Sequence, residues 1–188
     1  MELIKESLTF DDVLLVPRFS NILPSETNLS IELSNTIKLK NPFLSSAMDT
    51  VTESKMAIAM GKAGSLGIIH RNLKIKSQSK EVLKVKNNKL QVGAAIGTST
   101  EDLTRARALI DSGVDLIVID TAHGHSKKVL DILSKIKKFN LKIPLCVGNI
   151  ASGEAAKKLY NSGADILKVG IGPGSICTTR IVAGIGVP

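Results

Sequence analysis

The chain has 188 residues, of which 43% are hydrophobic, so one domain with a sizeable core is expected. Only 3% of the residues are aromatic and tryptophan is absent, so the core must be aliphatic, as in parallel α/β proteins whose central strands are buried on both faces. The net charge of +8 is compatible with nucleic-acid binding. The lysines are spread over several predicted helices without interleaved aromatic residues, which favours a lysine-rich solvated surface with some bias toward anionic substrates.

Cysteine content and hydropathy exclude other classes of protein. The two cysteines, Cys146 and Cys177, indicate neither a disulfide framework nor a zinc motif. The N-terminal residues do not have the pattern of a signal peptide, and no apolar run approaches the length of a membrane span. The expected location is therefore the reducing cytoplasm.

Taken in chain order, residues 1–41 are expected to be irregular, and short apolar strands then alternate with helices. Glycine is placed at the ends of several helices, as expected where a helix terminates, and Asn88 is assigned the same role. The glycines concerned are Gly64, Gly113 and Gly163. Strands are predicted at residues 42–46, 66–70, 90–96, 116–120, 143–147 and 166–169. Helices are predicted at residues 54–63, 76–86, 100–111, 126–139 and 152–162.

This alternation predicts an α/β fold, either a doubly wound sheet or a (β/α)8 TIM barrel. Polar and glycine-rich segments follow nearly every strand, whereas a doubly wound sheet would concentrate them at one switch point. No glycine pattern of the Rossmann type opens a helix. The barrel is therefore favoured, with this chain covering about its first six βα units, because eight units need about 250 residues. Residues 1–188 are expected to be a catalytic barrel domain that is incomplete at the C-terminus.

The segment after the sixth predicted strand carries the strongest chemical signal. Its glycines leave room for backbone N–H groups to converge on an anion, and Ser175 could add a hydroxyl group. Such surroundings can lower the pKa of a thiol, which makes Cys177 a candidate nucleophile. The alternative is a glycine-rich turn with a small, inert cysteine. The glycines are Gly170, Gly172, Gly174 and Gly184.

Three segments together resemble one enzyme family. The string GIGPGSICTTR, which contains Cys177, resembles the active-site loop shared by inosine-5′-monophosphate (IMP) dehydrogenase and guanosine monophosphate (GMP) reductase. LTFDDVLLVP at residues 8–17 and SSAMDTVTE at residues 45–53 resemble the N-terminal signature and the first barrel loop of that family. DTAHGHS at residues 120–126 and IVAGIGVP at residues 181–188 are similar to the dehydrogenase branch.

The resemblance implies oxidation of IMP to XMP with NAD through a covalent thioimidate on Cys177, with Thr179 close to the sulfur. A potassium ion would be held by the backbone carbonyls of Gly172, Gly174 and Cys177. The complete enzyme would be a homotetramer, with neither nucleic acid nor a membrane as its partner. The residues implied in substrate binding are Ser46, Met48, Asn149 and Ser175. Those implied in cofactor binding are Asp120, Thr121, Ala122, His123, Gly170 and Gly172.

Several alternatives remain open at this point. The chain could come from a GMP reductase that uses NADPH, or act only as a non-catalytic nucleotide-binding fragment. Asp120 could simply cap the next helix, and Met48 could be ordinary core packing. His123 and His125 could form a metal-binding pair, although no third ligand is evident. Cys146 is expected to be a buried strand residue without chemistry.

The resemblance also defines two expected departures from the family. The regulatory pair of cystathionine-β-synthase repeats has no room between about residues 86 and 90, so no such domain is expected there. The family's last two barrel strands and its mobile flap, whose arginine acts in hydrolysis, lie beyond Pro188. The isolated chain is therefore expected to be inactive and to self-associate through open sheet edges.

Overall fold

The computed structural model describes residues 8–139, 142–174 and 177–187. Two 3-10 turns, Phe10–Asp12 and Pro24–Glu26, precede the first strand. The strands are β1 (Ile31–Ser34), β2 (Ile37–Leu39), β3 (Leu44–Ser45), β4 (Leu66–Ile69), β5 (Gly93–Ile96), β6 (Leu116–Asp120), β7 (Leu145–Ile150) and β8 (Ile166–Val169). The helices are α1 (Ser54–Lys62), α2 (Ile75–Asn87), α3 (Glu101–Asp111), α4 (Lys127–Lys137), α5 (Gly153–Asn161) and α6 (Thr179–Val182). Within these ranges no helix is both long and apolar enough to cross a membrane.

Strands β3 to β8 form one parallel sheet in chain order. Each strand pairs with the next along the chain, and helices α1 to α5 connect them. The sheet is curled, so it corresponds to successive units of a barrel. A doubly wound sheet would instead reverse its strand order. The predicted fold class, a TIM barrel of which this chain supplies about six βα units, is confirmed.

Each face of the curled sheet has its own apolar layer. Ile117 and Ile119 of β6 belong to the larger cluster, which packs the sheet against the helices. Leu116 and Val118, which alternate with them, belong to the smaller cluster on the inner face. Parallel strands in a barrel need apolar residues on both sides, which explains why this strand reads as one continuous apolar run.

The inner layer is completed by a hairpin in a region that was predicted to be irregular. Strands β1 and β2 are antiparallel, and Ile37 and Leu39 are buried in the inner cluster. The Gln91 side chain, just before β5, donates a hydrogen bond to the Thr36 carbonyl at 3.0 Å, so the hairpin turn lies at the amino end of the sheet. The prediction for residues 1–41 was wrong here. Alternating apolar residues around a two-residue turn are a hairpin signal even when the strands are short.

Three of the predicted strands differ from the observed ones by two or more residues at one end or both, and the residue that follows one helix also differs from the prediction. The strand predicted at 42–46 is limited to β3, because the chain turns early where the Thr52 hydroxyl donates to the Ser46 carbonyl at 2.6 Å. The strand predicted at 143–147 continues to Ile150, which still pairs with β8. The one predicted at 90–96 begins only at Gly93. The glycines at the ends of α1, α3 and α5 adopt positive φ as predicted, but after α2 that role belongs to Lys89 and not to Asn88.

Two βα units of the sheet repeat the same local design at its amino end. An SGxD segment, at residues 112–115 and again at 162–165, ends a helix and leads into the next strand. In each case the aspartate accepts a hydrogen bond from the backbone N–H at or next to the start of the preceding strand and pairs with a helical lysine. The partners of Asp115 are Val92 (2.9 Å) and Lys86, and those of Asp165 are Leu145 (2.8 Å) and Lys137. Because the two units share this segment, equivalent positions in them can be compared at the opposite end of the sheet.

Candidate active site

The predicted site residues gather at the carboxyl end of the parallel strands, where TIM-barrel enzymes have their active sites. Ser46 and Met48 follow β3, Asp120 ends β6, and Asn149 lies near the end of β7. Thr121, Ala122 and His123 follow Asp120 directly, and Cys177 and Thr179 follow β8. Ser175 lies outside the described residues.

Cys177 is a half-buried thiol beside a hydroxyl group. Its Sγ lies 3.3 Å from Thr179 Oγ1, and its backbone N–H donates to the Gly174 carbonyl at 3.0 Å. Hydrogen bonds from the Thr179 side chain and backbone lower the pKa of the Cys177 thiol, and the positive charge of Arg180 acts in the same direction. A thiol of this kind is more readily converted into the nucleophilic thiolate.

The loop that carries Cys177 folds back on the segment that follows it. Gly172 has φ +64°, and a Cβ atom there would lie 2.8 Å from Cγ of Arg180. The Val187 N–H donates to the Ile171 carbonyl at 2.8 Å, which fixes the two segments side by side. Glycine is therefore required at position 172 for both its backbone conformation and its close contact with Arg180.

Asp120 takes part in an ion pair that crosses a strand. Lys168 Nζ of β8 lies 2.7 Å from Asp120 Oδ1 of β6, and Gly148 of β7 stands in register between them. A Cβ atom at position 148 would lie 2.6 Å from Cβ of Lys168, so a larger residue would displace the lysine. Asp120 is not the cap of the next helix, because the N-cap of α4 is Ser126. No sequence pattern indicated a role for Lys168.

Asn149 and Thr121 join two loops to the end of β7. Asn149 Nδ2 donates to the Gly170 carbonyl at 2.8 Å, and its backbone N–H donates to the Thr121 carbonyl at 2.8 Å. The Thr121 hydroxyl donates to the Gly148 carbonyl at 2.8 Å. The loop after β6, the end of β7 and the loop after β8 are thus joined by hydrogen bonds, which brings the segment that leads to Cys177 next to the end of β6.

The other predicted residues differ in their exposure. Met48 is 55% exposed, which argues against ordinary core packing. Ala122 and His123 are exposed, whereas His125 is half-buried. Across the part of the chain that the structure describes, no three His, Cys, Asp or Glu side chains come together as metal ligands, so the histidine pair has no third ligand.

A cavity of about 380 Å³ opens on the same end of the sheet. Three lining residues that were not predicted from the sequence directly follow β4. His70 is 2% exposed, and its Nδ1 accepts the Asn72 N–H at 3.1 Å, so the ring proton is assigned to Nε2, 3.4 Å from Glu53. His70 could have been identified from the sequence, because it is the polar residue that directly follows the apolar run of β4. The lining residues are Ala47, Met48, Asp49, His70, Arg71, Asn72 and Asp120.

Asp120 is suited to bind NAD, and the carbonyl oxygens of the loop are the type of ligand that suits potassium. Lys168 binds one oxygen of the Asp120 carboxylate. The other oxygen accepts no hydrogen bond within residues 8–139, 142–174 and 177–187. This second oxygen is suited to accept hydrogen bonds from a pair of ribose hydroxyl groups. The carbonyls of Gly172, Gly174 and Cys177 are uncharged oxygens, as potassium prefers. The Gly174 carbonyl already accepts the Cys177 N–H and lies 3.5 Å from the Arg180 guanidinium, so a bound cation would compete with Arg180 for that oxygen.

Comparisons with known proteins agree with this arrangement. Residues 7–188 match the IMP dehydrogenase / GMP reductase domain. The chain is 45% identical to inosine-5′-monophosphate dehydrogenase of Borreliella burgdorferi, 44% to that of Cryptosporidium parvum and 34% to that of Aquifex aeolicus, with 98% of the chain aligned in each case. It spans 58%, 56% and 64% of the lengths of these relatives. The chain therefore belongs to the IMP dehydrogenase / GMP reductase family.

Proposed function

We propose that this chain forms part of an IMP dehydrogenase, which oxidises IMP to XMP with NAD. The observation that carries the proposal is the Cys177 thiol, whose pKa is lowered beside Thr179 at the same end of the sheet as the Asp120 carboxylate. The relatives described above are named as dehydrogenases, which supports this branch of the family over the reductase.

In the proposed reaction Cys177 is the nucleophile. Its thiolate adds to C2 of IMP and forms a carbon–sulfur bond. NAD, when bound, accepts the hydride that leaves C2. Water then adds to C2 of the resulting thioimidate on Cys177, the carbon–sulfur bond breaks, and XMP and a proton are released. Thr179 stabilises the sulfur anion both when it attacks and when it leaves, because its hydroxyl lies within hydrogen-bonding distance.

The remaining residues bind and orient the reactants, and orientation of this kind supplies much of the rate in such reactions. The Asp120 carboxylate accepts hydrogen bonds from the ribose on the nicotinamide side, and Lys168 holds that carboxylate in place. The proposed substrate-binding residues are Ser46, Met48, Asn149 and Ser175. The proposed dinucleotide-binding residues, beyond Asp120, are Thr121, Ala122, His123, Gly170 and Gly172.

We also propose that the carbonyls of Gly172, Gly174 and Cys177 would hold a potassium ion, which would compete with Arg180 for the Gly174 oxygen. The expected result is that the complete enzyme is more active in potassium than in sodium or lithium salts at equal ionic strength. Equal activity in lithium would contradict the site. We further propose a homotetramer in the cytoplasm, where the free Cys146 and Cys177 would stay reduced, without a regulatory repeat pair between α2 and β5.

The decisive experiment uses the complete protein that contains this chain. Incubation with IMP and NAD should produce NADH, and a rapid acid quench followed by peptide mass spectrometry should find an IMP adduct on Cys177 and none on Cys146. Oxidation of NADPH with GMP as the substrate would instead identify a reductase. Nucleotide binding without either reaction would identify a non-catalytic binding protein.

A further inference from the structure

A buried polar network lies between α2 and α3, behind the wall of the cavity. Asp102 is 6% exposed, Arg105 is 8% exposed and Gln78 is fully buried. Side chains with formal charge are rarely buried to this extent unless they are paired, because removing them from water costs several kcal/mol per ion. The proposed mechanism has no use for any of these three residues.

Arg105 and Gln78 bind backbone carbonyls at the carboxyl end of the sheet. Arg105 Nη1 donates to the Leu73 carbonyl at 2.9 Å and to Gln78 Oε1 at 2.8 Å. Gln78 Nε2 in turn donates to the Ala95 carbonyl of β5 at 2.8 Å. The network therefore joins the end of β5 to the loop after β4, whose residues 70–72 line the cavity.

Asp102 completes the network on its other side. It lies 3.3 Å from Arg105 Nε, and its Oδ2 accepts the Ser99 N–H at 2.9 Å and the Ser99 hydroxyl at 2.7 Å. Burial acts to raise the pKa of Asp102, but hydrogen bonds from Ser99 and Gly97 and the charge of Arg105 outweigh it and lower the pKa. Asp102 therefore favours its charged form beside Arg105, and it extends the network to the loop after β5.

The βα unit that contains α5 and the second SGxD segment shows that the fold does not need a charge pair at these positions. When the two SGxD segments are aligned, Ala155 of α5 takes the place of Arg105, and Ser152 takes the place of Asp102. Ala155 is 1% exposed and belongs to the main apolar cluster. A small apolar side chain therefore fills the same core position in this unit, and replacing a buried ion pair by apolar residues is often neutral for stability.

We propose that Arg105 is a positioning residue for the reaction, which acts through Asp102 and Gln78 to hold the loop that carries His70, Arg71 and Asn72 against the cavity. Arg105 does not touch the reactants. It fixes the Leu73 carbonyl, and with it the three residues before Leu73, relative to the ends of β4 and β5. This inference rests on the proposed function, since the cavity also contains Met48 and Asp120.

The test compares two double variants of the complete protein. Asp102→Ser/Arg105→Met removes both charges together, so that no unpaired ion remains buried. The matched control, Lys86→Met/Asp115→Ser, removes an ion pair from the amino end of the same sheet, where its partners join α2 to the start of β6. Arg105→Lys keeps the charge and a hydrogen-bond donor, and it serves as the conservative variant if the first double variant fails to fold.

Two readouts are measured for each variant. Backbone hydrogen exchange without any ligand should be faster at residues 70–73 and at Ser99 in Asp102→Ser/Arg105→Met, and unchanged there in the control. The value of kcat/KM for IMP oxidation should fall about tenfold in the first variant, lie between that value and the wild-type value in Arg105→Lys, and stay at the wild-type value in the control.

The possible outcomes separate this inference from the proposed function. Wild-type exchange in the loop, or wild-type kcat/KM despite faster exchange, in Asp102→Ser/Arg105→Met would overturn the positioning role. If only Arg105→Lys folds, the proposal requires it to show intermediate loop exchange and intermediate kcat/KM, and values equal to wild type for both would overturn it. A wild-type protein that does not oxidise IMP would contradict the proposed function. The exchange measurement would still decide whether Arg105 holds the loop.

Discussion

The two cysteines of this chain show how position along a barrel strand determines the chemistry of a side chain. Cys146 lies on the inner face of β7, is 6% exposed and packs in the inner apolar cluster. Burial raises the pKa of its thiol to about 12, although the nearby charge of Lys168 acts in the opposite direction. Cys177 lies in the loop after the neighbouring strand, where hydrogen bonds from Thr179 lower the pKa of its thiol. The inside of the barrel keeps a thiol protonated, and the loops at its carboxyl end activate one.

The largest expected effect comes from removing each sulfur in turn. Cys177→Ala should lower kcat for IMP oxidation by about a thousandfold or more, because the covalent path is lost. Cys146→Ala should keep kcat within about twofold of wild type, since its thiol takes no part in the reaction. Steady-state NADH production by both variants provides the measurement.

Thiol labelling provides a second view of the same contrast. In the folded protein, iodoacetamide should alkylate Cys177 and leave Cys146 unmodified, because only Cys177 is accessible and has a thiol with a lowered pKa. Labelling of Cys146 at a comparable rate, or normal turnover by Cys177→Ala, would break the distinction between the two sites.

Lys168 should have the next largest effect, because it lies beside both Asp120 and Cys146. Lys168→Met leaves the half-buried Asp120 carboxylate without its partner, and we expect the KM for NAD to rise about tenfold. Lys168→Arg, which keeps the charge, is the matched control and should be closer to wild type. Initial-rate kinetics with varied NAD give the answer, and an unchanged KM in Lys168→Met would show that the ion pair does not serve the cofactor site.

Thr179→Val should have a smaller effect that depends on pH. The Thr179 hydroxyl favours the thiolate form, so its loss raises the pKa of Cys177 and moves the rising limb of the pH–rate profile to higher pH. We expect a fall of about three- to tenfold near neutral pH that largely disappears at alkaline pH, where the thiol ionises anyway. Thr179→Ser, which keeps the hydroxyl, should retain the wild-type profile. A uniform loss at every pH would contradict the role of this hydrogen bond.

The smallest effect concerns stability at high pH. Burial raises the pKa of the Cys146 thiol to about 12 in the folded state, whereas the thiol of the unfolded chain ionises near the ordinary pKa of 9.0. The contribution of Cys146 to the free energy of unfolding is therefore fully present below pH 9 and is lost as the pH rises above it, by at most about 1.4 kcal/mol per pH unit. Denaturant unfolding of wild type and Cys146→Ala at about pH 8 and about pH 10 measures this. A constant difference between the two proteins would show that the thiol is not held protonated.

Much of the fold and part of the site could be predicted from local patterns. Continuous apolar runs predicted the positions of all six barrel strands to within three residues, and glycine marked the ends of α1, α3 and α5, because both signals depend on neighbouring residues. The glycine-rich loop also identified Cys177 as the residue to test. The hairpin β1–β2 was missed although its signal is local, because its two strands are short.

The sequence by itself determined the order of βα units and the chemical character of the loop around Cys177, since backbone preferences and apolar periodicity act over a few residues. Only the tertiary structure decided that Lys168 crosses Gly148 to reach Asp120, that His70 lines the cavity, and that Arg105 holds the Leu73 carbonyl. The Lys168–Asp120 pair joins residues 48 positions apart, and the Arg105–Leu73 bond joins residues 32 apart. Contacts at such separations exist only once the curled sheet brings the strand ends together, and no local pattern encodes them.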